Sequence, residues 1–177
     1  MTVAEKTTEK TVAEKMLTEF DTEYDNTRKF LALVPDDKLT WKPHEKSMEL
    51  GRLAWHLSDF PSWCADTLKD DVLKFTTADG EKMKKDWHGK THEQMLARFD
   101  TDLKDARAAL AAITDDAWAT HWKFEWDGQP IIDEPRIDVY RKWVINHMIH
   151  HRAQLGVYLR LNGVPIPGCY GPSADEG

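Results

Sequence analysis

Cysteine is scarce: the 177 residues hold only Cys64 and Cys169, far apart and outside any CxxC pair. A disulfide framework is therefore excluded, and a small buried residue plus a tail thiol is the plain reading of the two. No stretch approaches the ~18 consecutive apolar residues that a membrane helix needs. The opening MTVAEKTTEKTVAEK lacks the apolar segment of a secretory signal. The expectation is a cytoplasmic protein with no membrane partner. Basic residues are outnumbered, 24 Lys and Arg against 31 Asp and Glu, for a net charge of −7. With no basic stripe to offset that excess, nucleic acid is not an expected partner.

What is present is ordinary globular material, 41% hydrophobic and 31% charged, in a length that suits one core. The expectation is a single domain over residues 1–177, with about 1–12 a frayed lead-in. TVAEK occurs at Thr2–Lys6 and again at Thr11–Lys15. That echo is too short for a solenoid repeat and reads as incidental. The eight tryptophans are many for this length and read as core or interface anchors.

Hydrophobic periodicity predicts four helices. The first carries Met16, Leu17, Phe20, Tyr24, Phe30 and Leu31 and stops at Pro35-Asp36-Asp37. The second spans about Met48–Leu68, with Ser47 as N-cap and a kink from Pro61 just after His56. Residues Lys69–Lys90 read as a long polar connection. Thr91 caps the third helix, and Asp127-Gly128 marks a short β-hairpin before the fourth. That last helix runs from about Ile137 to Leu161 and is stopped by Asn162-Gly163. An all-α four-helix bundle is the fold class these four apolar stripes imply.

Chemistry concentrates in NHMIHHRAQL, which places three histidines within five residues. At ~100° per residue His147 and His151 fall within the core stripe, His150 lies off its edge, and Arg152 and Arg160 point to solvent. Residues at i and i+4 have Cβ atoms about 5–6 Å apart, so both imidazoles can reach one ion. Met148 stands where a zinc protease of the HExxH type needs its glutamate, which excludes that class. His56, in GRLAWHLSDF, is the best third ligand, although an ideal wheel puts it on the flank of its stripe. His44, His88 and His92 read as solvated, and His121 as a distant possibility near the bundle mouth.

These residues, HMIHHRAQL with a distant mid-helix histidine and the tail YLRLNGVPIPGCYGPSADE, resemble the DinB-like (DinB/YfiT) superfamily. The resemblance implies a four-helix bundle, often a homodimer, with a divalent transition metal, Ni²⁺ or Zn²⁺, held by His56, His147 and His151. It also implies metal-dependent chemistry, since characterised members include thiol S-transferases and a thiol-dependent isomerase. A small-molecule substrate and a low-molecular-weight thiol would then be the partners. Metal-assisted hydrolysis and a non-catalytic, stress-associated metal-binding role fit the same ligands. Arg52 is the basic side chain near the expected mouth. Gln154, Asp59 or a backbone carbonyl could take the ligands' second ring protons, and Glu49 is a further nearby carboxylate.

Overall fold

The computed structural model describes residues 10–176. The first nine residues, and with them most of the expected lead-in, lie outside the described residues. The second TVAEK is not incidental. Thr11 is the N-cap of helix α1 (Val12–Leu31), and its hydroxyl and Glu14 form a reciprocal capping box.

The stretch expected as one kinked helix is two. Helix α2 (Leu50–Ser58) ends at Asp59, and α3 (Phe60–Lys69) begins at once, with Pro61 in its first turn. Proline has no N–H to offer, and the first turn of a helix, where none is needed, is where it is tolerated, so the run divides one residue before Phe60. Ser47 is not the N-cap. Glu49 occupies that position without a side-chain cap bond, and the loop before it is held by Leu50 N donating to the Trp41 carbonyl at 2.8 Å.

The connection Lys69–Lys90 carries structure of its own: strand β1 (Val72–Phe75) and helix α4 (Thr77–Met83), which opens on a Thr76/Asp79 capping box. Helix α5 (His92–Ala112) starts at Thr91 as expected, and the short α6 (Asp115–Ala119) follows. Strands β2 (His121–Trp126) and β3 (Gln129–Pro135) form the expected antiparallel hairpin. Its turn residues Asp127 and Gly128 both have positive φ, 47° and 76°. Strand β1 adds to β2 in parallel, Leu73 opposite Phe124 and Phe75 opposite Trp126, making a three-stranded sheet in the order β1-β2-β3.

The last helical run is continuous but not uniform. Helix α7 (Arg136–Val139) passes into a π-helical segment (Tyr140–Asn146) and then into α8 (His147–Leu161). Such wide turns are uncommon and often sit beside functional sites. This one delivers the chain directly to His147.

The fold is mostly helical, with the small sheet at one side. Helix α5 packs on α1, α2 and α3, while α8 packs on α1 and α2. Phe20, Tyr24, Leu53, Leu57, Phe99 and Leu155, all essentially unexposed, fill the space between them. A second, smaller cluster of Trp122, Ile132 and Val139 lies under the sheet. Among the described residues no helix is long and apolar enough to cross a membrane.

Arg152 does not face solvent. It is 3% exposed and pairs at 2.7 Å with Glu23 of α1, itself buried. The segment after α8 folds back over that face, bringing the Tyr170 hydroxyl within 2.6 Å of Arg152 and 2.9 Å of Glu23. A wheel centred on a single core stripe cannot register burial by the chain's own tail.

Candidate metal centre

His56 comes from the last turns of α2, and His147 and His151 from the first turns of α8. Their ligand-capable ring atoms all lie within 4.8 Å of one another. The two Nε2 atoms of His147 and His151 are 2.8 Å apart, and the His56 ring centroid is 4.7 Å from that of His151. Phe60 and Trp63 pack edge-on or tilted around the three rings. Of the other histidines among the described residues only His150 lies beside the cluster, its ring centroid 5.1 Å from that of His151. His150 is exposed, His121 pairs with Asp133 on the sheet, and His92 pairs with Asp36.

Burial dominates the protonation of the three. It pulls His56 down to about 3 and His151 to about 4, the neighbouring imidazoles adding to the effect, and it lowers His147 as well. At neutral pH all three are uncharged and offer lone pairs. The cost of that burial makes a prediction about stability. Unfolded imidazoles take up protons below about pH 6.5, whereas folded His56 and His151 resist until about 3 and about 4, and burial lowers His147 too. The stabilisation is complete above the unfolded pKa and is lost as pH falls through that window. Asp59, raised by burial to about 6, and Asp66, also raised by burial, work in the opposite sense and reduce the slope. The melting temperature of the metal-free protein is therefore expected to fall between pH 7 and 4.5, with a shallower slope in His56→Gln. A flat profile would contradict it.

Proton bookkeeping at the rings fits a cation. The Gln154 amide sits between His151 and His150, its oxygen 2.7 Å from His151 Nδ1 and its nitrogen 3.1 Å from His150 Nε2. In that orientation His151 donates from Nδ1 and turns its Nε2 lone pair toward His147. The Nδ1 of His147 is buried without a well-formed hydrogen bond, although the Trp143 carbonyl lies close enough to favour a proton there. If that proton sits on Nδ1, two lone pairs confront each other across 2.8 Å. If it bridges the two Nε2 atoms, a buried acceptor is left unpaired at a real energetic cost. A cation accepting both Nε2 lone pairs relieves either arrangement, so the residues present fit a metal.

A cleft of about 330 Å³ opens over His56 and His151. Trp55, Trp63, Phe75 and Trp126 line it, together with Arg52 and Asp59. Asp59 does not serve the histidines. It contacts Arg98 at 2.5 Å, and the Arg98 guanidinium lies over the Trp55 ring at 4.5 Å from its centroid. Arg52 has no ion-pair partner among the described residues, and its charge reaches far enough to help keep His56 unprotonated. The aromatic walls from β1 and β2 were not foreseen as part of a site. The Thr76-x-x-Asp79 capping signature was the one signal that structure lay within the presumed loop.

The fold and this cluster define a helical-bundle protein with a candidate three-histidine metal centre. The DinB family model matches residues 5–177, and the chain belongs to that family. It is 26% identical over 163 residues to the uncharacterized protein YrdA of Bacillus subtilis (strain 168), covering 90% of this chain and 89% of that one. A DinB-like protein from Bacillus cereus ATCC 10987 has a similar structure, with a TM-score of 0.66 at 25% identity over 90% of this chain and 98% of that one. The DinB-like protein YjoA from Bacillus subtilis shares the fold, with a TM-score of 0.64 at 17% identity over 87% and 96% of the two chains.

Proposed function

We propose that this protein is a metal-dependent enzyme that binds one divalent d-block ion, Ni²⁺ or Zn²⁺, through His56, His147 and His151, and joins a low-molecular-weight thiol to a small organic substrate. The observation that carries the reading is the convergence of three neutral imidazoles, two of which, His56 and His151, line an open cleft. Three neutral nitrogens leave a coordination position free, and an ion held so supplies Lewis acidity that lowers the pKa of a thiol or water beside it.

The protein's own residues divide the remaining work. Gln154 holds the His151 ring in one tautomer, so that its Nε2 faces the ion. Arg52, without a carboxylate partner, attracts the anionic groups that small cellular thiols carry. Trp55 and Trp63 exclude water and give the substrate a flat apolar wall. Hydrolysis by bound water would use the same ligands. The aromatic lining and the free guanidinium favour an organic thiol over water as the nucleophile.

The test is direct. Metal-loaded protein is incubated with monochlorobimane and a panel of small thiols, and the fluorescent conjugate is measured. Turnover above the uncatalysed rate that disappears in His147→Ala is the expected result; no turnover with any thiol would reduce the protein to a metal binder. The homodimer belongs to this proposal too. Val157 and Leu161 expose 58% and 60% of their surface on one side of α8, a face that a second copy would cover. A monomeric mass at micromolar concentration would end that part.

A further inference from the structure

A second cavity lies on the other side of the histidines. It occupies about 140 Å³ between the sheet and the helices, bounded by Leu73, Trp122, Ile132, Val139 and Val144, and it reaches His147. Its walls are almost wholly apolar, and Trp63, Phe75 and Phe124 separate it from the cleft that holds Arg52. Two apolar residues at its edge, Ile131 and Trp143, are 59% and 41% exposed, so the chamber has a greasy mouth open to solvent. Trp122 is 4% exposed, and its indole N–H is buried with no acceptor.

We infer that this chamber is a binding site for a monocyclic aromatic or similarly small apolar molecule carrying no charge. Size sets the upper limit. An engineered apolar cavity of about 150 Å³ in another protein takes up benzene and stays dry otherwise, and this one has nearly the same volume. Chemistry excludes charged groups, because the walls offer no counter-ion and a buried unpaired charge is very costly. One hydrogen-bond acceptor on the ligand is welcome, since the Trp122 N–H lacks one.

The two cavities thus differ in kind and meet the histidine cluster from different residues, the cleft at His56 and His151 and the chamber at His147. The cleft beside Arg52 and His56 suits an anionic partner, and the chamber beside His147 suits the apolar one. This deepens the transferase reading by naming the substrate class. It rests on that reading only for the ligand's orientation toward the metal, not for its binding.

Fluorobenzene followed by ¹⁹F NMR is the probe. Saturable binding is expected, competed by toluene, and weakened about tenfold or more by Ile131→Trp at the mouth and by Val144→Phe in the wall. Arg52→Ala should leave it unchanged. In protein loaded with Co²⁺ as a paramagnetic probe, the bound fluorine should relax faster than in the Zn²⁺ form, placing the ring beside the histidines. Absence of binding, or binding indifferent to both cavity variants, would overturn the inference. A separate calorimetric titration with Zn²⁺ keeps the two ideas apart. Metal uptake without fluorobenzene binding leaves the metal centre standing and removes the chamber, and the converse removes the metal centre alone.

Discussion

Alanine at position 151 is expected to abolish tight Ni²⁺ or Zn²⁺ binding, whereas alanine at 154 weakens it by only about 10–100-fold. The gradient follows from where each side chain acts. His151 presents Nε2 to the point where the three rings meet, so under the proposed function its loss would remove a bond to the ion. Gln154 touches only the far nitrogen of that ring, and its loss frees the ring to rotate or to place its proton on the wrong atom. His150→Ala should have the smallest effect, because that ring is exposed and reaches the centre only through the Gln154 amide. Competition against a chromophoric chelator measures all three, with circular dichroism to check that each variant folds. Equal affinity in wild type and His151→Ala would refute the assignment of ligands.

Arg152→Met is expected to be the most damaging substitution outside the metal centre. The Glu23–Arg152 pair is buried on both sides, and Arg152 also donates to the Glu23 backbone carbonyl at 3.0 Å. Methionine keeps much of the volume but leaves the Glu23 carboxylate buried with only the Tyr170 hydroxyl for company. Breaking such a pair from one side costs about 3–5 kcal/mol. For a chain of this length that corresponds to a drop of roughly 6–20 °C in melting temperature. The double variant Glu23→Leu/Arg152→Met should recover a large part of the loss, because apolar replacement of both partners removes the uncompensated charge. If the single variant melted within a degree or two of wild type, the pair would be only a surface contact.

How much of this was legible beforehand depends on how far apart the cooperating residues lie. The i, i+4 spacing of His147 and His151 needs only the α8 helix to place both rings together, and a wheel suffices. His56 was harder. Its helix stops two residues later, so an angle computed for an unbroken Met48–Leu68 helix has little meaning past Ser58. Its mid-helix place beside Leu53, Leu57 and Phe60 made it the best third candidate, and the family resemblance strengthened a choice that the wheel left weak. The long helices and the hairpin followed from apolar spacing and turn chemistry, while the short α4 and α6 did not, and the helical reading of the fold holds with the small sheet at its side. Strand β1 escaped because four residues flanked by charges carry too little alternation to announce a strand, and its partner lies some fifty residues away. The burial of Arg152 escaped for a related reason: it rests on Glu23 and Thr27 of α1 and on Tyr170 of the tail, distant partners that no local pattern records.

The division of labour between helices and sheet has a further consequence. All three imidazoles are supplied by α2 and α8, whereas half of the residues lining the apolar chamber come from β1, β2 and β3. Under the proposed function, grip on the ion and part of the choice of guest would be housed in separate parts of the chain. Exchanging the short segments around Phe75, Phe124 and Ile131 would then retune which compounds are admitted while the three histidines stay in place.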